Sequence, residues 1–440
     1  MNLEHKKILI HTLTPLFIGN GEDFSPLTFW MNCENNELVE FSEDALIDKL
    51  LPEDKNKLGR LDLLNFMRLI FNTRPTGKSI PVCSDIVETY KKVLTGEQKE
   101  FNKFAIKKLI SNPNSNLPYI PGSSLKGALR TAYLAACNGL TKKKENKVWE
   151  INEDAVLGRM NTDIFSALKV GDANPLGEVK TQIFYAQRCP KKTTGKSAPS
   201  TMLHTVMGGG VFSGEITLLQ SLNIKTGLIS ITDILEKMEK YSNSLLQDEK
   251  IGIKYPSLAE LQQLKAEFAN PVYLCRLGGF IGAESHTIDG FRDIKIRNPK
   301  KNNDFRPYTT QSICASMDKR KNTNISFGWC FIEVLEGPAS QNLPHLRNFV
   351  QEQEQQLLGN FSYRSRRSVY SNYPAGVLLP QTSFDRNGVY SAKVARLSKK
   401  GKAIVQVDGK EFTLLDEGLL EIGQTIKVTQ IQGTTCTLKK

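Results

Sequence analysis

The segment 118–130, with the sequence PYIPGSSLKGALR, combines residue types that can bind a phosphate group. Gly122 lets the backbone approach a ligand closely, and either Ser123 or Ser124 can cap a helix that follows. The backbone amides in the first turn of a helix also favour an anion. These residues predict a phosphate contact at the start of a helix over about 124–137, although an ordinary capped helix explains the same pattern.

One side of this predicted helix is basic. Lys126 and Arg130 are four residues apart and Tyr133 follows one turn later, so the three side chains share a face. Leu125 and Leu129 begin an apolar stripe on another face. We expect the apolar stripe to pack on a sheet and the basic face to contact RNA; the alternative is a solvated basic surface.

Two glycine-rich turns are further candidates for a phosphate chain. The sequence RLGGFIGAESH follows an apolar stretch, and in it Arg276 precedes Gly278, Gly279 and Gly282. The second turn, Gly19-Asn20-Gly21, follows the first apolar stretch of the chain. Glycines permit positive φ angles and close backbone approach, as a loop along a phosphate chain requires. Tight structural turns explain the same glycines.

Arginine and tyrosine are concentrated at 363–370, YRSRRSVY. Guanidinium groups at Arg364, Arg366 and Arg367 can bind phosphates, and the neighbouring rings can stack on unpaired bases. The alternative is an exposed strap between two domains.

Catalytic motifs are weak by comparison. The string TGKS occurs at 76–79 and 194–197, but the earlier glycine of a P-loop is replaced by Asn72 and Pro190, so no nucleotide cofactor is predicted. The five histidines show no paired spacing. RNA cleavage would need an acidic residue such as Asp23 or a histidine such as His286, each of which has a simpler structural interpretation.

The composition favours a polyanionic partner. The 440 residues contain 58 Lys and Arg and 46 Asp and Glu, which gives a net charge of +12. Nucleic acid is therefore the first candidate for the partner. The alternative is a basic surface that keeps the protein soluble. No apolar run approaches the ~18 residues that span a bilayer, so we expect no membrane contact. Eight scattered cysteines without a CxxC pair favour reduced thiols in the cytoplasm and no metal site.

Periodicity predicts an α+β chain. Strands are expected at 6–18, 211–219, 272–277 and 325–334, and helices at 124–137 and 344–358. Helical insertions are expected at about 42–111, with Ser42 as a cap, and at 230–269, with Thr232 as a cap. Exposed loops are expected at 141–147 and 189–201.

The last part of the chain has a different sequence pattern. Short β-rich runs separated by glycine turns lie at 389–396, 403–407, 411–415, 425–431 and 435–438, with Asp408-Gly409 as a hairpin turn. This pattern predicts a core domain over 1–380 and a small OB- or SH3-like β-barrel over 384–440. The barrel could bind RNA or dock on a protein.

Four stretches, in this order, resemble the RAMP superfamily, and within it the capping subunit of type III-A (Csm) CRISPR effector complexes. They are HTLTPLFIGNGEDFSPL (11–27), YIPGSSLKGALRTAY (119–133), CRLGGFIGAESHTI (275–288) and ISFGW (325–329). The resemblance covers about residues 6–380. It implies a modified RRM or ferredoxin-like core in the order βαββαβ, carrying helical insertions.

The resemblance also implies a function. A capping subunit sits at the end of the subunit backbone, contacts the 3′ part of the guide RNA and supports guide maturation without being an enzyme. The implied RNA contacts are Gly19 to Gly21, Ser123, Ser124, Lys126, Arg130 and the loop from Arg276 to Gly282. The implied partners are guide RNA, neighbouring RAMP backbone subunits, the small helical subunit and host nucleases that trim the guide.

Two departures from the family pattern bear on the alternative, a RAMP endonuclease that cuts target RNA or processes the guide. Phe17 stands where relatives commonly have histidine, and EDFSPLTFW (22–30) lacks the aspartate context of the target-cleaving subunit. The second departure favours the binding role.

Overall fold

The computed structural model divides the chain into two compact units, 1–373 and 374–440. In the first unit it describes residues 2–56, 58–96, 104–145, 148–159, 162–191, 198–220, 229–248, 258–296, 304–318 and 325–358. In the second unit it describes five strands. The predicted hairpin turn Asp408-Gly409 lies outside the described residues.

The first unit contains runs of strands and separate helices packed on largely antiparallel sheets, which confirms the α+β class. The helices of the described ranges are α1 (Glu43–Lys49), α2 (Pro52–Lys55), α3 (Leu63–Thr73), α4 (Ser84–Leu94), α5 (Gly122–Ala135), α6 (Asp154–Leu157), α7 (Ile164–Ala167), α8 (Ile231–Asp248), α9 (Leu258–Ala266) and α10 (Pro344–Leu358). The strands are β1 (Asn2–Thr12), β2 (Gly19–Asp23), β3 (Phe29–Asn32), β4 (Glu37–Glu40), β5 (Lys78–Pro81), β6 (Ile106–Leu109), β7 (Lys142–Glu145), β8 (Val148–Ile151), β9 (Leu168–Val170), β10 (Asn174–Pro175), β11 (Thr181–Pro190), β12 (Ala198–Val206), β13 (Val211–Gln220), β14 (Val272–Arg276), β15 (Ile294–Ile296), β16 (Asp304–Arg306), β17 (Gln311–Ser316), β18 (Ile325–Ser326) and β19 (Trp329–Val334).

The first large sheet has the order β10-β13-β1-β19-β14, with β9 also paired to β13, and all its pairings are antiparallel. Helices α5 and α8 pack side by side, and α8 lies against β14. Their buried residues Leu125, Leu129, Leu235 and Met238 belong to the same core cluster as this sheet. The predicted apolar stripe of α5 therefore packs on a sheet as expected.

The chain order of these strands differs from the implied βαββαβ order. The central strands β13, β1, β19 and β14 alternate in direction, as in a ferredoxin-like sheet. However, among these four strands β13, the outer neighbour of β1, comes second along the chain, whereas the implied order places that strand last. The reason is that β13 follows directly on β12 of the second sheet, so the chain reaches this side of the first sheet early.

The second large sheet has the order β18-β17-β11-β12-β6-β2, and only the β6–β12 pairing is parallel. Its core includes Ile183 and Phe184 together with Ile86 and Tyr90 of α4. A three-stranded sheet, β3-β4-β5, packs with α1 and α3 around Trp30 in a separate cluster.

Several predicted elements match closely. Ser42 caps α1, because its Oγ accepts the N–H of Ala45 at 3.3 Å. Helix α10 begins and ends at the predicted residues, 344 and 358. The cap predicted at Thr232 is wrong: Ser230 and Asp233 bond each other reciprocally, and the helix begins at Ile231.

Other predicted elements are divided or replaced. The strand predicted over 6–18 ends at Thr12, and the strand predicted over 325–334 is divided at Gly328, where φ is +85°. The stretch 106–109, predicted as helical, is β6, because it fills the gap between β2 and β12. Lysine-rich 142–145, predicted as a loop, pairs with β8 as a hairpin.

The second unit contains strands β20 (Tyr390–Leu397), β21 (Ala403–Val407), β22 (Lys410–Leu414), β23 (Thr425–Gln432) and β24 (Thr435–Leu438). Their pairings form a closed ring in the order β20-β21-β22-β24-β23. In the described ranges of the chain, no helix has the length and apolarity needed to cross a bilayer.

Candidate nucleic-acid interface

Three of the predicted segments, far apart in the sequence, line one open cleft of about 390 Å³. Its walls come from the start of β2, from the first turns of α5 and from the glycine loop after β14. The lining residues are Ile18, Gly19, Ser123, Ser124, Gly127, Ala128, Thr131, Arg276, Gly278, Gly279, Ile281, Ser285 and His286. No acidic side chain is among these described residues, so the cleft suits an anionic ligand.

The helix contributes a face of small residues to the cleft. Ser123 and Gly127 are exposed and Thr131 is half-buried, one turn apart from each other. A Cβ added at Gly127 would meet nothing within 4 Å, which means that the cleft is open above the helix backbone. A ligand can therefore approach this face closely.

The predicted basic face of α5 points elsewhere. Arg130 donates through Nε and Nη2 to Glu153 Oε2 at 3.0 and 2.6 Å, and through Nη1 to Asp163 Oδ2 at 2.6 Å. Burial opposes the charge, but the hydrogen bonds that Arg130 donates to Asp163 and Glu153 raise the pKa of the guanidinium overall. Arg130 therefore ties α5 to the α6–α7 region and does not line the cleft.

Lys126 and Tyr133 are also engaged within the fold. Lys126 Nζ donates to the carbonyl of Leu168 at 2.8 Å, and burial together with the charge of Lys169 lowers its pKa. Tyr133 is buried and packs edge-on against Phe165 at 5.6 Å between ring centroids. The expectation that this ring faces RNA is wrong, because α5 is covered on that side.

Gly122 is required by packing and not by a ligand. A Cβ at this position would lie 2.1 Å from the carbonyl oxygen of Val170. The N–H of Gly122 is already bound to Asp172 Oδ1 at 2.7 Å, so it does not point into the cleft. Ser123 and Ser124 do not cap the helix, since its N-cap is Pro121; they lie inside the first turn and line the cleft instead.

The glycine loop is held on the segment that follows β1. The N–H of Gly279 donates to Phe17 O at 2.7 Å, the N–H of Leu277 donates to Gly328 O at 2.8 Å, and the N–H of Gly328 donates to Pro15 O at 2.8 Å. Gly278 has φ +91°, and a Cβ there would lie 2.4 Å from Phe17 O. Close loop packing therefore explains this glycine without any ligand.

Within the glycine loop, residues 276–286, Gly282 caps a short 3-10 turn at Ala283–His286. It has φ +88°, a conformation that favours glycine, and its nearest Cβ neighbour would be Glu284 Oε2 at 3.3 Å. Glu284 accepts bonds from Lys191 Nζ at 2.9 Å and from the Thr309 N–H and hydroxyl at 2.6 Å each. Burial opposes its charge, but these bonds lower the pKa of the Glu284 carboxyl to about 2. The carboxylate thus anchors the loop to Lys191, which follows β11, and to the segment before β17.

Arg276 is the cation of the cleft. It is buried, its Cζ lies 4.8 Å from the ring centre of Trp329, and its Nε donates to Phe327 O at 3.2 Å. His286 lies at the rim of the cleft, where desolvation of its ring and the charge of Arg276 lower its pKa. The positive potential of the cleft therefore comes from a fixed guanidinium and not from mobile lysines.

The turn Gly19-Asn20-Gly21 is an exposed edge strand, β2, paired irregularly with β6. Gly21 has φ +90° and open space around it, whereas Asn20 bonds the N–H and carboxylate of Glu22 at 3.0 Å. Only Gly19 of the three lines the cleft.

The two residues that a nuclease would use, Asp23 and His286, lie on different segments. Asp23 pairs with Lys107 at 3.4 Å on β2, while His286 lies on the glycine loop. Within the part of the chain that the structure describes, no cluster of three His, Cys, Asp or Glu side chains could hold a metal. The predicted contacts Arg364, Arg366 and Arg367 lie outside the described residues.

Sequence reasoning missed Gly127 and Thr131 as cleft residues, and Asp163 and Asp172 as the groups that hold α5. The small residues at 123, 127 and 131 recur at helical spacing, and this pattern could have identified the face of α5 that lines the cleft. The two aspartates lie 33 and 50 residues from their partners, so spacing alone could not identify them.

Comparison with known proteins gives consistent similarities. The family model for the RAMP superfamily matches residues 9–248. A protein described as CRISPR system Cms protein Csm5 from Methanocaldococcus jannaschii is 28% identical over 189 residues, which cover 38% of this chain and 43% of that protein. The chain thus spans less than half of that relative.

A protein of the same description from Streptococcus thermophilus is 26% identical over 314 residues, 64% of this chain and 79% of that protein. Among solved structures, a chain of a type III-A Csm–crRNA–target RNA ternary complex overlays with a TM-score of 0.49 at 15% identity. That overlay covers 76% of this chain and 100% of the other.

Proposed function

Because this chain belongs to the RAMP superfamily, we propose that it is a non-catalytic subunit of a type III CRISPR effector complex that binds guide RNA through the cleft. The proposal includes the capping role: the subunit binds the 3′ part of the guide, ends the backbone of RAMP subunits and supports guide maturation. The names of the two relatives support the assignment to a Csm complex.

The observation that carries the proposal is the meeting of β2, α5 and the glycine loop in one cleft. Single-stranded RNA exposes phosphates, 2′-hydroxyls and base edges, which need small polar donors and close backbone approach. Ser123, Ser124 and Thr131 offer hydroxyls, while Gly127 leaves the helix backbone uncovered. Such a surface binds a ribose-phosphate strand without sequence preference.

The charge of the cleft supports an anion and not a neutral ligand. Arg276 is fixed by its contacts with Trp329 and Phe327, so binding costs little side-chain entropy. Its buried guanidinium acts at low local dielectric, where an electrostatic attraction is stronger than in water. The net charge of +12 adds long-range attraction for RNA.

Lys126 and Arg130 have a supporting role in this proposal. Their intramolecular bonds orient α5, so its small-residue face stays open to the cleft. Gly122, Gly278 and Gly282 likewise shape the walls.

The finer description of the fold is part of the same proposal. Alternating strands β13, β1, β19 and β14 with helices α5 and α8 support an RRM-like core with rearranged chain order. The ring β20-β21-β22-β24-β23 supports a small OB- or SH3-like barrel in the second unit. The partners that we propose are neighbouring RAMP subunits, the small helical subunit and trimming nucleases.

The test begins with the full chain purified alone and from its native host with its neighbours. The proposal expects short guide RNA and neighbouring subunits in the native sample, and saturable binding of labelled guide RNA by the isolated chain. Binding should weaken as salt rises, because phosphate contacts release counterions. A native sample free of short RNA, together with no binding by the isolated chain, would contradict the proposal.

Catalysis is tested with labelled guide precursor and target RNA, with and without divalent metal. The proposal expects both RNAs to stay intact. Specific cleavage that Asp23→Ala or His286→Ala abolishes would establish a nuclease in place of a binding subunit.

A further inference from the structure

Two exposed aromatic residues, outside the cleft, are three positions apart in the chain. Phe305 is 56% exposed and Tyr308 is 55% exposed, and they are the exposed aromatic residues among the described ranges. Burying an exposed ring against a ligand removes apolar surface from water, which is favourable. Neither ring lines the cleft, so the binding site described above does not account for them.

Two basic residues are neighbours of this segment, one across the hairpin and one along the strand. Phe305 on β16 stands opposite Lys295 on β15, and both side chains are exposed. Arg306 adds a guanidinium whose Nε bonds Asp304 Oδ2 at 2.5 Å and whose side chain is 44% exposed. Exposed rings with neighbouring cations are the combination that binds single-stranded nucleic acid, where bases stack and phosphates pair with charge.

The ring pair is anchored beside the cleft. Thr309, which follows Tyr308, is bound through its N–H and hydroxyl to Glu284 of the glycine loop. A small cavity lined by Thr309 and Glu284 shares two residues, Arg276 and Ile281, with the cleft. The segment of the two rings is therefore tied to the glycine loop that also lines the cleft.

We infer that Phe305 and Tyr308 form a stacking platform for unpaired bases of an RNA strand that leaves the cleft around the glycine loop. The inference rests on the proposed function and extends it, because it names a second contact of a different chemical kind. The cleft holds ribose and phosphate, while the platform holds base faces. Stacking is tolerant of sequence, since every base has a π-face.

The test measures binding of 5′-labelled single-stranded RNA by the full chain as a function of salt. Phe305→Ala with Tyr308→Ala should weaken binding on the order of 10-fold or more, since each stacked base contributes substantially. The salt dependence should stay unchanged, because no phosphate contact is lost. Lys295→Ala should instead lower the salt dependence.

Two controls separate stacking from folding and from general apolarity. Tyr308→Phe keeps the ring and should keep the affinity, while Leu27→Ala removes an exposed apolar side chain elsewhere and should change nothing. An RNA carrying 2-aminopurine should show quenched fluorescence with the wild-type chain and recovered fluorescence with the double alanine variant.

Each remaining outcome is decisive. If the wild-type chain binds RNA and the double variant binds it equally well, the platform is refuted and the proposed function survives. If the double variant instead loses a neighbouring subunit from the native complex at unchanged RNA affinity, the rings dock on protein and the inference is overturned. If the wild-type chain binds no RNA at all, the proposed function and the platform fail together.

Discussion

Asp163 and Arg130 form an ion pair with 2.6 Å between Oδ2 and Nη1, although 33 residues separate them in the chain. Asp163 is also the N-cap of α7, where its Oδ1 accepts the N–H of Phe165 at 2.8 Å. One carboxylate thus fixes both the start of α7 and the side of α5 that faces away from the cleft. The basic motif of α5 therefore serves the fold first.

Arg130→Ala should lower the free energy of unfolding by about 1–3 kcal/mol, because the part-buried carboxylate of Asp163 loses a charged hydrogen bond. The dependence of RNA affinity on salt should remain that of the wild type, since no phosphate contact is removed. Urea denaturation and salt-dependent binding measure the two effects. A flatter salt dependence at unchanged stability would instead make Arg130 a phosphate ligand.

Gly278→Ala should destabilise the chain by at least about 1–2 kcal/mol, since its positive φ disfavours any side chain and Phe17 O lies in the way of a Cβ. Gly279→Ala is the matched control, because a Cβ there meets its nearest neighbour, Phe17 Cδ1, at an ordinary 3.4 Å. Thermal melting compares the two variants. Equal melting temperatures would show that the loop does not need a left-handed residue at 278.

Because of His204, the free energy of unfolding should fall in mild acid. Burial, with the charges of Lys78 and Lys108, lowers its pKa from 6.5 to about 3, and its Nε2 is buried without a hydrogen-bond partner. Below pH 6.5 the unfolded chain takes up a proton that the folded chain refuses, so the free energy of unfolding falls until about pH 3. His204→Leu should flatten this part of the curve, as denaturation at a series of pH values would reveal; a slope identical to that of the wild type would refute the assignment.

Because of Glu333, the free energy of unfolding should fall a second time at lower pH. Burial opposes its charge, but hydrogen bonds from His11, Ser340 and Asn270 lower the pKa of Glu333 from 4.5 to about 2. A depressed carboxyl pKa stabilises the fold above the unfolded value, and this contribution, on the order of 3 kcal/mol, is lost as pH falls from 4.5 to about 2.

Glu333→Gln should therefore be less stable than the wild type at neutral pH and should lose less stability between pH 4.5 and 2. Acid titration followed by circular dichroism checks both parts. Parallel curves for the two proteins throughout that interval would mean that Glu333 does not titrate with folding.

Local patterns identified the elements well where the determining residues are close in sequence. Ser42 caps α1 three residues from its partner, and α10 has the predicted ends because its periodicity is uninterrupted. Prediction failed where a segment distant in sequence determines the local structure. The run 106–109 becomes a strand only because β2 and β12 flank it, and nothing within the run reveals those neighbours.

The candidate site shows the same division. Glycines and serines of the cleft were identifiable from their motifs, and three of the predicted segments do meet there. Which side of α5 faces the cleft could not be predicted, since a face with Lys126 and Arg130 and a face with Ser123 and Gly127 are both compatible with helical spacing. The orientation of α5 is fixed by its bonds to Asp163, Glu153 and the Leu168 carbonyl, which all lie outside the helix.

The cleft as the RNA site is tested most directly at Gly127, where a side chain can be added without disturbing the fold. Gly127→Glu places bulk and negative charge in open space above α5, so affinity for guide RNA should fall on the order of 10-fold or more at an unchanged melting temperature. Gly127→Ala, the matched control, adds one methyl group without charge, so it should lower RNA affinity less than Gly127→Glu does and should gain up to about 1 kcal/mol of stability. Full RNA affinity in a correctly folded Gly127→Glu protein would contradict the account.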